Sequence, residues 1–181
     1  MKICLDQPIE ASVDEAQAAL LDPRFYASLA GLEGVQAPKL LSVQTCNGRA
    51  KAVVRYQFSG ELSGPAAAIL DPAKLSWAQI SETDLLAHRT EVTMAPDNYA
   101  NLLSFSGWYE LRPAGNHRSV QHLEAELKVH VPLLGPLAER ALAGSVKKNL
   151  AGTAALLGRY VSSHKGDSHS NKARGAARRD P

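Results

Sequence analysis

Apolar and polar residues alternate along most of this chain, and the period of that alternation changes at identifiable points. Ile3, Leu5 and Ile9 hold odd positions among polar neighbours, which predicts a short strand over residues 2–9. From Ser12 the period becomes helical. Val13, Ala16, Ala19 and Leu20 form one stripe, Ser12 and Glu15 have the spacing of a capping box, and Asp22-Pro23 stops the helix. A second short helix is expected from Pro23 to Leu32, carrying Phe25, Tyr26 and Leu29. At Val35 the period returns to two. Leu41, Val43 and Thr45 alternate up to Asn47-Gly48, a pair suited to the positive φ angles of a type I′ hairpin turn. The return strand, residues 49–59, carries Ala50, Ala52, Val54, Tyr56 and Phe58 on one face.

A Gly/Pro-bearing insert over residues 60–72 follows, with a short helix expected near Pro65 to Leu70. Two strands then flank Glu82-Thr83-Asp84. Leu75 and Trp77 share a face in the first, and Leu86, His88, Thr90, Val92 and Met94 in the second. Residues 103–111 place Leu103, Phe105, Tyr109 and Leu111 on one face, leaving Trp108 on the other, where it is expected to pack under a loop, with a contact surface as the alternative. In the last strand, residues 120–131, Leu123, Ala125, Leu127, Val129 and Val131 alternate with polar His122, Glu124, Glu126, Lys128 and His130. One face of such a strand is dry and the other wet. A long helix from about Pro136 to Val161 aligns Leu142, Val146, Leu150, Thr153, Leu157 and Val161 on one side.

This order predicts an α+β fold: one strand, two short helices, an antiparallel meander, and a long helix with the apolar stripe needed to cover the sheet. A curved sheet wrapped on one helix can leave a cavity between them. The residues facing that space are candidates for binding a ligand. They are Tyr56 and Phe58, Trp77, then His88, Thr90 and Val92, then Phe105 and Tyr109, then Leu127, with Val146 and Leu150 on the helix. Tyrosines, a tryptophan, a histidine and a threonine are more polarity than a solid core wants, and they suit apolar walls with a few convergent polar groups.

Composition narrows the function. The chain has 181 residues and a net charge of +2, too small to argue for a specific nucleic-acid partner. Two cysteines exclude a disulfide framework and a four-cysteine zinc site, and they are expected on opposite edges of the sheet. No apolar run suggests a membrane span, and the N-terminal residues lack the apolar stretch of a signal peptide, so a cytoplasmic location is expected. The final segment, residues 162–181, carries five bases and two acids and no large apolar residue. It reads as a disordered, basic, solubilising tail, with a tether to an anionic surface as the alternative, which sets the domain at residues 1–161.

Catalytic signatures are weak. Ser145-Val146-Lys147-Lys148 and Ser162-Ser163-His164-Lys165 both fit S-x-x-K but lack its companion motifs. No phosphate- or dinucleotide-binding motif occurs, so no cofactor is expected. His122 and His130 are eight residues apart on the wet face, and no cysteine or carboxylate joins a histidine at local ligand spacing, so no metal site is expected either. His88, on the expected inner face, has three readings: a hydrogen-bonded core residue, a group that orients a ligand, or an acid/base.

The layout resembles the START-like, or SRPBCC, helix-grip superfamily, which includes polyketide cyclases and the birch pollen allergen. The matching pieces are Ser12-Val13-Asp14-Glu15 with Asp22-Pro23-Arg24-Phe25-Tyr26, the strand Leu75-Ser76-Trp77, Ser106-Gly107-Trp108-Tyr109-Glu110-Leu111, and Val129-His130-Val131-Pro132-Leu133-Leu134-Gly135 leading to Glu139. More narrowly, it is similar to an uncharacterised actinobacterial domain-of-unknown-function branch. The resemblance covers residues 1–161. It implies a helix-grip fold, with about seven curved antiparallel strands wrapped on the C-terminal helix, and a cavity, but no particular reaction.

The resulting expectation is a protein that binds, sequesters or carries a small hydrophobic or lipid-like molecule. One alternative is an enzyme of the cyclase, aromatase or hydratase kind, using His88 and a cavity tyrosine. Another is a protein-interaction module. The oligomeric state is left open.

Overall fold

The computed structural model describes residues 1–175 except Gly31, Glu33 and Ser63, with the side chains of Pro65, Ala66 and residues 165–175 also outside the description. The chain runs β1 (Lys2–Ile9), α1 (Val13–Leu20), α2 (Pro23–Ser28), β2 (Lys39–Cys46), β3 (Arg49–Gln57), α3 (Pro65–Ile69), a 3-10 turn (Pro72–Lys74), β4 (Ser76–Asp84), β5 (Arg89–Pro96), β6 (Leu103–Pro113), β7 (Ser119–Val129) and α4 (Gly135–Gly175). The seven strands form one antiparallel sheet in the order β1-β7-β6-β5-β4-β3-β2. Five sequential antiparallel pairings build the meander from β2 to β7. β1 then joins the far side by pairing with β7.

Local chemistry accounts for the element ends. At α1 the Ser12 backbone N–H donates to Glu15 Oε2 at 2.9 Å, and the Glu15 N–H donates to Ser12 Oγ, completing the capping box. Asp22 caps α2 by accepting the Arg24 N–H at 2.9 Å, with Pro23 pre-set for the first helical position. The helix expected to reach Leu32 ends at Ser28, where the Leu29 N–H turns back to the Tyr26 carbonyl. Asn47 and Gly48 adopt φ of 49° and 74°, the left-handed pair the β2–β3 hairpin needs. A β-bulge between Leu40 and Ser42 breaks the expected β2 alternation and leaves Leu41 exposed.

Strand β6 lies close against β7 at Gly107. A Cβ there would lie 2.4 Å from the Glu124 carbonyl oxygen and 2.5 Å from Ala125 Cα, so only glycine permits this approach of β6 to β7. The concave face holds α4. One packed cluster joins Phe25, Tyr26 and Leu29 of the short-helix region to Val54, Leu157 and Tyr160. A second joins Leu75, Leu103, Leu123 and Leu127 to Ala138 and Ala143. At the start of α4, Glu139 Oε1 accepts the Val129 N–H at 3.0 Å while its Oε2 accepts from the Met1 amine at 2.8 Å, tying helix to sheet. The apolar stripe ends at Val161, where the sequence pattern also ends the helix, but α4 continues to Gly175. Backbone hydrogen bonding needs no apolar face, and the Ser162 and Ser163 hydroxyls donate back to the Gly158 and Tyr160 carbonyls. Residues 176–181 of the expected tail lie outside the described residues.

Candidate functional site

Between the sheet and the first half of α4 lies a cavity of about 430 Å³. Strand alternation builds its walls. Tyr56 and Phe58 come from β3 and the residue after it, Trp77 from β4, Thr90, Val92 and Met94 from β5, Phe105 and Tyr109 from β6, and Leu123 and Leu127 from β7. Leu142, Val146, Leu150 and Thr153 close it from α4. Tyr56 and Trp77 are direct cross-strand partners, with rings stacked at 5.4 Å and 7°. They form one flat aromatic panel of the wall.

All the expected candidates except His88 line this space. Strand β4 runs to Asp84, and the hairpin turn is Leu85–His88 rather than residues 82–84. The Asp84 carboxylate accepts the Leu86 and Ala87 N–H groups and holds that turn. His88 is its last residue, at φ 53°, so the strand parity that would aim its side chain inward does not apply to it. Its Nδ1 meets Gln17 Oε1 at 2.9 Å, and its Nε2 stands 4.0 Å from Asp14. Its partners among the described residues are therefore Gln17 and Asp14, not the cavity tyrosine that the enzyme alternative called for. Leu86, placed inward by the same reasoning, is 87% exposed.

Trp108 is also corrected. It faces away from α4 as expected, but it packs among side chains on the open sheet face rather than under a loop. The Arg89 guanidinium lies 3.7 Å from its ring centre and His122 stands beside it. Cys4 and Cys46 are free, exposed and on opposite edge strands.

The sequence pattern alone did not bring out a polar line along the cavity. Gln79, Ser81 and Thr83 follow Trp77 on the same face of β4, and Gln121 precedes Leu123 on β7. The signal was present as simple parity, but for Thr83 it was hidden by placing the turn too early. The Thr83 and Thr90 hydroxyls meet at 3.0 Å, both residues buried. Gln17 of α1 and Asn149 of α4 add amides.

Burial pushes the phenols of Tyr26, Tyr56 and Tyr109 above the ordinary tyrosine range, with Thr90 drawing Tyr109 part of the way back. These hydroxyls stay protonated at neutral pH and serve as hydrogen-bonding groups rather than bases. Among the described lining residues, the charged ones are Glu61 and Lys148, both exposed. The cavity is therefore apolar and aromatic, with neutral polar groups inside and charge at its solvent side.

Residues 5–161 match the family described as protein of unknown function, DUF2505. The chain belongs to the DUF2505 family. No curated protein matches it. Among solved structures, this DUF2505 chain shares its fold with TTHA0849 from Thermus thermophilus, at a TM-score of 0.64 and 13% identity over 91% of this chain and 99% of that one. The Zhui aromatase/cyclase from Streptomyces sp. R1128 superposes with a TM-score of 0.63 and 14% identity, covering 91% and 94%. Norcoclaurine synthase from Thalictrum flavum gives 0.57 and 16%, covering 91% and 96%. The fold is thus the helix-grip type. At these identities the likeness concerns the fold alone. Among the described residues, no helix of this DUF2505 chain is long and apolar enough to cross a membrane.

Proposed function

We propose that this DUF2505 protein binds and carries a small hydrophobic or lipid-like molecule with a neutral polar end, held between the sheet and α4. The observation that supports the reading is the chemistry of the cavity wall: an aromatic and aliphatic lining, hydroxyl and amide groups inside, and charged side chains only where the lining is exposed. A volume of about 430 Å³ lies within the range typical of small-molecule sites. Burying about 300 Å² of apolar ligand surface contributes a gross ~7 kcal/mol at ~25 cal/mol/Å². Association costs offset several of these, so affinities weaker than micromolar, on the order of 0.1–1 mM, are expected for ligands without strong polar contacts.

Two structural relatives are enzymes by name, an aromatase/cyclase and norcoclaurine synthase. A similar activity here would need a group that exchanges protons at neutral pH. His88 lies in the β4–β5 turn and the buried tyrosines hold their protons, which favours a carrier. We place the protein in the cytoplasm, where two exposed free cysteines suit a reducing compartment, and in the actinobacterial branch that its punctuation residues resemble.

Displacement of a fluorescent apolar probe tests this reading. The parent should bind the probe with an affinity on the order of 0.1–1 mM or tighter. Val146→Trp, which projects a ring from α4 into the cavity, should weaken binding at least about tenfold with little change in melting temperature. No binding by the parent, or equal binding by Val146→Trp, would overturn the carrier reading.

A further inference from the structure

The sheet face turned away from α4 carries a second group of chemically capable side chains. In the β1–β7 register, Cys4 stands opposite Glu124 and Asp6 opposite His122. The alternation that sends Leu123 and Ala125 inward sends these four outward. The Cys4 thiol, a His122 ring nitrogen and a Glu124 carboxylate oxygen all lie within 4.8 Å of one another. A thiolate, an imidazole and a carboxylate make a mixed, borderline-soft donor set, which suits zinc and not the all-oxygen preference of calcium or magnesium.

The geometry is partly formed already. His122 Nε2 is 3.4 Å from Glu124 Oε1. Two ligands on a tetrahedral zinc with bonds of about 2.0–2.3 Å are roughly 3.5 Å apart, so this pair already stands at the right separation. His122 Nδ1 donates to Asp6 Oδ1 at 2.6 Å, which leaves Nε2, now facing the Glu124 carboxylate, as the nitrogen a metal would take once it displaces any proton held there. A carboxylate holding the far nitrogen of a histidine is the arrangement that orients metal-binding imidazoles. Trp108 flanks the ring at 5.6 Å between centres, and the His122 side chain is only 16% exposed. Cys4 and Glu124 are exposed and can rotate to close on the fixed ring.

We propose that Cys4, His122 and Glu124 form a zinc site with three protein ligands, with Asp6 positioning His122 and water in the fourth place. Binding replaces the Cys4 thiol proton with a zinc–sulfur bond and any proton on His122 Nε2 with a zinc–nitrogen bond, and these protons leave to solvent. One thiolate and one carboxylate balance the charge of the ion. The site lies on the opposite face of the sheet from the cavity and does not depend on the carrier reading.

Cobalt(II) is the probe, added to metal-free full-length protein. One cobalt per chain should produce a thiolate-to-metal charge-transfer band together with visible bands of tetrahedral intensity, and zinc should displace both. Cys4→Ser should abolish the charge-transfer band, and Cys46→Ser, on the opposite edge strand, should leave it intact. Asp6→Asn should weaken cobalt affinity about 10–100-fold while keeping the band shape, and His122→Gln should weaken it further. Far-UV circular dichroism should be unchanged in all four, because these side chains sit on the open face of the sheet. Absence of the band in the parent, its survival in Cys4→Ser, or its loss in Cys46→Ser would overturn the site.

Discussion

The two halves of the inner face of α4 meet the same sheet in different ways. Toward its later turns, Ala154, Leu157, Tyr160 and Val161 are buried, and Leu157 is 1% exposed. They pack against α1, α2 and Val54, with Phe25 set edge-on to both Tyr26 and Tyr160. Toward its earlier turns, Leu142, Val146 and Leu150 have the same apolar character and helical spacing, yet they are half-buried and face the cavity. The difference comes from what else reaches the concave face. The short helices fill one end of the groove and leave the other to the aromatic wall. One helix thus carries stability in one half and an internal surface in the other.

Phe25→Ala should cause the largest loss, about 3–5 kcal/mol in urea unfolding, because the ring is fully buried between two aromatic neighbours. A loss below about 1 kcal/mol would mean that this end is not the solid half. Leu157→Ala and Val146→Ala compare the two halves on one helix. The first should lose about 2–5 kcal/mol, and the second about 1 kcal/mol or less, since its methyl groups already border empty space. Equal losses would remove the distinction between the two ends.

Acid should act on the solid half. The Arg24 guanidinium and N–H, with the Tyr160 hydroxyl, hold the Asp22 carboxyl at about 2 against an ordinary 3.8. A carboxyl with a lowered folded value stabilises fully above its unfolded pKa and loses that contribution as pH falls through the folded one. The parent should therefore lose melting temperature between about pH 4 and pH 2 more steeply than Asp22→Asn, which keeps a capping side chain but has no titrating carboxyl. Parallel curves would show that the Asp22–Tyr160 link between α2 and α4 carries no pH-dependent stability. The smallest effect is expected from removing residues 165–181. The truncation starts beyond His164, whose ring stacks on Tyr160 at 4.2 Å, and the melting temperature should not change. A clear drop would extend the solid half into the tail.

Much of the architecture was legible because its causes are local. The capping box at Ser12, the proline after Asp22, the Asn47-Gly48 turn and the alternation of β7 each act within a few residues. Alternation also told which side chains of β3, β5 and β6 face α4, so pattern alone placed Tyr56, Thr90 and Tyr109 on the cavity wall. It failed at His88 because parity holds only while a residue is in the strand, and the backbone leaves the strand at the turn that Asp84 holds. The cavity was expected from the layout and the resemblance, but its extent was not legible: how much void Val146 and Leu150 border depends on how far α4 stands from the curved sheet. The group of Cys4, Asp6, His122 and Glu124 was beyond the sequence for a similar reason. Its members lie in the first and last strands, and only the β1–β7 pairing, which joins the two ends of the chain in one sheet, sets them side by side.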